Sequence, residues 1–291
     1  MKRFAVVIGT SLLLLPMIVY ARLHFLRPPL TNIERSLHQG INYKRDIYKK
    51  PRPVVVHTVS IDLTAPGVKV LVTPGKPTSS DNTEINARIT SDFLKEFKLK
   101  LAINASYFYN FRENTPLDYF PHNGDRVNVV GEAISEGDRY SPPETEWPAI
   151  CFTQYNEAKI LNTCPDATKA AVAGREVLIN QGKPGNFQSK DDLKPYPRTA
   201  VGIDKEGKKL WLVIVDGKQP FYSEGLTNQE LTDVFQKLGV YSALNLDGGG
   251  STTLVTDSPE GVKILNSPSQ FKLPMIERPV ANHIGFYALD K

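Results

Sequence analysis

Arg198-Thr199-Ala200-Val201-Gly202-Ile203-Asp204-Lys205-Glu206-Gly207-Lys208-Lys209-Leu210-Trp211-Leu212-Val213-Ile214-Val215-Asp216 is the stretch from which the fold is read. Two runs rich in β-branched residues, 199–203 and 210–215, flank the polar turn 204–208. This pattern predicts an antiparallel hairpin. Arg198 opens the first strand and Asp216 closes the second, so the two lie side by side at the end away from the turn.

Downstream, Thr227 stands three residues before Glu230, the signature of a capping box. Leu231, Val234, Phe235 and Leu238 then recur at helical spacing, and Gly239 supplies a left-handed stop. A buried strand over 241–246 runs into Asp247-Gly248-Gly249-Gly250-Ser251-Thr252-Thr253, where the β-branched residues favour a returning strand. A final strand is expected over 280–289. Upstream, 149–182 reads as short strands, and 110–148 as a long irregular loop. The strand 99–103 ends on Asn104, and 84–97 reads as an amphipathic helix. Strands 54–61 and 68–72 are expected to pair as a hairpin through Pro66-Gly67. Many short strands with two amphipathic helices make the fold class α+β, a mostly antiparallel β-sheet core with a few packed helices.

Composition bounds the function. The chain has 291 residues, 41% hydrophobic and 23% charged, with a formal charge of +4. These values suit a globular protein, and no basic stripe interleaved with aromatics points to nucleic acid. Lys2 and Arg3 precede an uncharged run over 4–21. As a helix this run would span about 27 Å, close to the hydrocarbon thickness of a bilayer. Residues 1–21 therefore read as a signal peptide or an uncleaved anchor, with the body exported to a periplasmic or extracellular space. The polar, proline-bearing segment 22–52 reads as a linker, leaving 53–291 as the main domain. Cys151 and Cys164 are the only cysteines. In an oxidising compartment they form one disulfide, or they remain two free buried thiols.

The strongest chemical signal is Asp247-Gly248-Gly249-Gly250-Ser251-Thr252. Three successive glycines cost chain entropy and let backbone amides converge on a ligand. The bland alternative is a tight turn, which needs only one or two glycines. Asp247 at the strand end is placed for acid, base or nucleophile work. Arg198 suits phosphate oxygens through its planar fork, although with Asp216 it would also make an ordinary ion pair at a sheet edge. Asn104 is a candidate ligand group or a turn-initiating residue, and Arg278 before Pro279 a candidate binder or a solvated charge. The five histidines lack ligand spacing, so a metal is not indicated. Ser251 lies in no nucleophile elbow.

These stretches together resemble the phosphodiester glycosidase family, bacterial relatives of the catalytic domain of N-acetylglucosamine-1-phosphodiester α-N-acetylglucosaminidase. The matching residues are 104–108, 197–202, 215–217, 225–231, 245–253 and 278–282, within a likeness covering roughly 55–289. Ala105 and Lys218 depart from the glycine and arginine common in the family. The resemblance implies hydrolysis of a sugar-1-phosphodiester in a glycan or glycolipid. It implies Asp247 as base or nucleophile, Asp216 as second carboxylate, and Arg198 and Arg278 as phosphate binders. Asn104, Asn245, Gly248, Gly249, Gly250, Ser251 and Thr252 complete the expected substrate site. No cofactor is implied. Two rival readings are a metal-dependent phosphodiesterase with Asp216 and Asp247 as ligands, and a non-catalytic polysaccharide-binding envelope protein.

Overall fold

The computed structural model describes residues 17–76, 83–115 and 118–290. Most of the expected leader, residues 1–16, lies outside the described residues. Residues 17–25 are helical, and among the described residues no helix is long and apolar enough to cross a membrane.

Three sheets carry the fold, and every strand pairing among the described residues is antiparallel. The largest has eight strands in the order Ile33–His38, Ile41–Tyr48, Val54–Asp62, Lys209–Val215, Arg198–Ile203, Ser242–Asn245, Val177–Asn180, Lys183–Pro184. Its centre is the expected hairpin, in register from Arg198 opposite Val215 to Ile203 opposite Leu210. A five-stranded sheet runs Lys263–Ile264, Leu254–Thr256, Leu101–Asn104, His283–Tyr287, Lys69–Val72. A second five-stranded sheet holds Ala133–Ser135, Asp138–Ser141, Ala149–Thr153, Ala158–Leu161 and Thr168–Ala173. All three bury one face in a common core. Val59, Ile61, Leu212 and Ile214 come from the first sheet, Leu101, Ile103 and Ile284 from the second, and Ile150, Phe152 and Val172 from the third. Strand alternation sends Trp211, Val213 and Val215 to the opposite side, where Leu231 and Phe235 of the Asn228–Lys237 helix cover them. That helix begins with the expected capping box, Thr227 and Glu230 each closing the other's free amide. A disulfide joins Cys151 and Cys164 beside the third sheet.

Four sequence expectations are corrected. Residues 33–48, assigned to a linker, form two strands of the large sheet, with Ile41, Tyr43 and Arg45 turned inward while their neighbours face water. The flanking prolines mask this alternation. The Val54–Asp62 and Lys69–Val72 strands do not pair with each other. The first joins Lys209–Val215 and the second joins His283–Tyr287, so the Pro66-Gly67 turn passes the chain between sheets. The helix expected over 84–97 is confined to Thr90–Glu96. Ile85 has helical spacing, but it is spent in a strand against Val127. Residues 110–148 contain short strands, among them Arg126–Val129 and Ala133–Ser135, rather than one irregular loop.

Candidate active site

The site forms where the Ser242–Asn245 strand leaves the large sheet beside the end of the Leu101–Asn104 strand. The Leu246 amide still donates to the Thr199 carbonyl at 2.8 Å, and the Asp247 amide donates to Ala105 at 2.9 Å. Asp247 is thereby tied to both sheets. The glycines after it are demanded by close approach. A Cβ on Gly248 would stand 2.5 Å from the Pro197 carbonyl oxygen, and Gly249 has φ +63°, which disfavours side chains. A Cβ on Gly250 would collide with the Arg278 guanidinium. The triple glycine serves to lay this turn against Pro197 on one side and Arg278 on the other.

Asp247, Gly248, Gly249, Arg198 and Arg278 line one cleft of about 240 Å³. Tyr107, Phe108, Phe111 and Tyr196 form its aromatic walls. Protein packed around the half-buried Asp247 desolvates its carboxyl and pushes its pKa up to about 6, while the nearby Ser251 hydroxyl, Arg278 and the Gly248 amide pull the other way. Burial likewise raises the pKa of Tyr107 and lowers that of Arg198. The Arg198 Nε donates to the Leu226 carbonyl at 3.1 Å and Nη2 to the Lys194 carbonyl at 3.3 Å. Among the described residues no carboxylate lies within 4 Å of it, so a buried cation is held in place without being neutralised. Arg278 differs. Its Nε donates to Gln270 at 2.8 Å, its Nη2 pairs with Glu113 at 2.6 Å, and its guanidinium lies 4.5 Å from the centre of the Phe111 ring.

The remaining sequence candidates are placed elsewhere. Asp216 is a correction: it is 1% exposed and does not line the cleft. Its neighbour Val215 stands opposite Arg198, so alternation turns Asp216 to the other face of the sheet. There it accepts from His57 at 3.0 Å, Asn266 at 3.1 Å and the Ser267 amide at 2.7 Å. The expected ion pair with Arg198 is not formed. Asn104 is fully buried and acts as a clamp: Nδ2 donates to the Asp247 carbonyl at 2.6 Å, while Oδ1 accepts from Thr199 and from the Thr253 amide. It holds the catalytic candidate's backbone rather than facing the cleft. Asn245 is buried against Glu176 at 2.8 Å. Ser251 and Thr252 are buried too, and among the described residues the Thr252 hydroxyl meets no partner at hydrogen-bonding geometry. Among the described residues, no three His, Cys, Asp or Glu side chains cluster to hold a metal. The aromatic walls are missing from the sequence-derived set. Their signal was adjacency, since Tyr107 and Phe108 close the Asn104 stretch and Tyr196 directly precedes Pro197-Arg198.

The family model described as phosphodiester glycosidase matches residues 97–287. No curated protein matches the chain. A hypothetical protein from Synechocystis superposes with TM-score 0.64 at 16% identity, over 90% of this chain and 64% of that one. This chain therefore spans just under two thirds of that neighbour. The catalytic domain of zebrafish N-acetylglucosamine-1-phosphodiester alpha-N-acetylglucosaminidase, auto-inhibited by its pro-peptide, superposes with TM-score 0.60 at 19% identity, over 90% of this chain and 88% of that one. At these identities the two neighbours establish the likeness of fold.

Proposed function

We propose that this chain, which belongs to the phosphodiester glycosidase family, hydrolyses a sugar-1-phosphodiester at the bond between C1 of the sugar and its phosphate oxygen. The observation that carries this reading is one cleft that, among the described residues, is lined by a single carboxylate, Asp247, together with two arginines. A water molecule attacks C1, its proton passes to Asp247, and the electron pair of the C1–O bond leaves with the phosphate. A phosphomonoester is a good leaving group, and Arg198 and Arg278 meet the charge that develops on it. Little general acid is then required, which suits a cleft lined by one carboxylate. Water activation needs only that carboxylate. A covalent glycosyl intermediate would need a second base for its hydrolysis, so the anomeric configuration should invert.

Reaction in 18O-labelled water tests the bond cleaved. Label in the sugar, read before the anomeric oxygen exchanges, is expected, with an inverted anomer by NMR. Label in the phosphomonoester would mean attack at phosphorus and overturn the assignment.

We also read the protein as exported, with an envelope or extracellular glycoconjugate as its substrate. The basic start and uncharged run over 4–21 support this, as does the Cys151–Cys164 disulfide, a bond of oxidising compartments. A C-terminal reporter that is active only in the cytoplasm would refute this reading.

A further inference from the structure

The wall of the cleft formed by Arg278 has a second side. Beyond it lies a groove of about 860 Å³, against about 240 Å³ for the cleft itself. The two meet at two places. Arg278 lines both, with Gly249 on the cleft side and Gly250 on the groove side. Tyr196 lines the cleft, and its hydroxyl accepts from Lys218 of the groove at 2.6 Å.

The charge of this groove is one-sided. Arg27, Lys218, Lys272 and Arg278 line it. Among the described residues that line it Glu113 is the one acid, and its charge is taken up by Arg278. Arg27 lies 4.3 Å from the centre of the Tyr222 ring and donates to Gln219, and Lys218 lies 3.9 Å from the centre of the Tyr196 ring. Among the described residues no carboxylate lies within 4 Å of Arg27, Lys218 or Lys272.

A phosphodiester has two arms. With its phosphate on Arg278 and the scissile sugar in the cleft, the other arm leaves on the groove side. We infer, resting on the cleavage reading above, that the groove binds this second arm, and that the arm is an extended anionic chain rather than a small alcohol or a lipid. The substrate class is then a glycan whose sugar units are themselves joined by phosphodiesters. If the cleft takes one unit, the groove has room for more than one. Its unpaired cations would meet the further phosphates.

The test compares three substrates on the full-length protein: the methyl ester of N-acetylglucosamine-1-phosphate, its decyl ester, and a four-unit oligomer of N-acetylglucosamine-1-phosphate. The oligomer should show a KM about tenfold or more below that of the methyl ester. The preference should collapse in 1 M salt, where screening acts over about 3 Å. The double variant Arg27→Gln, Lys272→Gln should lose most of the preference while hydrolysing the methyl ester at the parent rate. Equal KM for oligomer and methyl ester, or a preference for the decyl ester, would overturn the groove assignment and leave the cleavage reading standing. Hydrolysis of none of the three would overturn the cleavage reading and the groove with it.

Discussion

At the scale of residues, the site turns on one carboxyl whose surroundings oppose its charge. Desolvation holds Asp247 near a pKa of 6, against an ordinary value of 3.8. As the proposed base it must be deprotonated, so kcat/KM should rise with pH and level off above about 6. The same shift sets a stability trend of opposite sense. Between about pH 4 and 6 the unfolded chain has released this proton and the native chain still holds it, so native stability falls as pH rises through that window. Asp247→Asn should therefore lower turnover by at least about a hundredfold, while its Tm at pH 8 equals or exceeds that of the parent. A variant that loses activity and melts earlier would point to a structural role instead. Arg198 and Arg278 line the cleft with Asp247, a placement legible because residue type and motif context agreed. Asp216 was misread because sequence proximity along a hairpin ignores the pleat. One step in register sends it into the core with His57 and Asn266.

At the scale of elements, both sheet-covering helices rest on glycine. A Cβ on Gly202 would stand 2.8 Å from Phe235 and from Val240, and one on Gly285 would collide with Leu99 and press on Phe93. The Asn228–Lys237 helix was readable because its cap, its apolar stripe and its Gly239 stop agree. The Thr90–Glu96 helix was overextended because Ile85 and Ile89 share its spacing, yet Ile89 is the cap residue and makes no side-chain cap bond. The strands at 33–48 were hidden for a different reason. They lie at the edge of the large sheet, so their outward positions are polar and resemble a linker. Gly202→Ala leaves a permitted backbone and crowds the helix seat, so it should cost about 1–3 kcal/mol of stability. Urea unfolding with a lowered midpoint and unchanged slope would bear this out, and an unchanged midpoint would show that the helix yields without cost.

At the scale of the whole molecule, the core is made by segments far apart in the chain. This is why the hairpin could be read from local pattern while the meeting of three sheets could not. Local periodicity states which face is apolar, but not which distant sheet covers it. The Pro66-Gly67 turn illustrates the limit, since its residues favour reversal equally well within a sheet or between sheets. The site inherits this wide connectivity. Asn104, from one sheet, holds the carbonyl of Asp247 at the end of another. The His283–Tyr287 strand is inserted between Leu101–Asn104 and Lys69–Val72, pairing with both. Ile284 and Phe286 of that strand enter the common core. A chain emerging from the ribosome thus lacks the middle of one sheet until residue 287 has been made. Until then it should remain open. A chain stopped after Asn282 is expected to be digested rapidly by a protease that leaves the full protein intact. Resistance of that shortened chain would mean that the core can close around the gap.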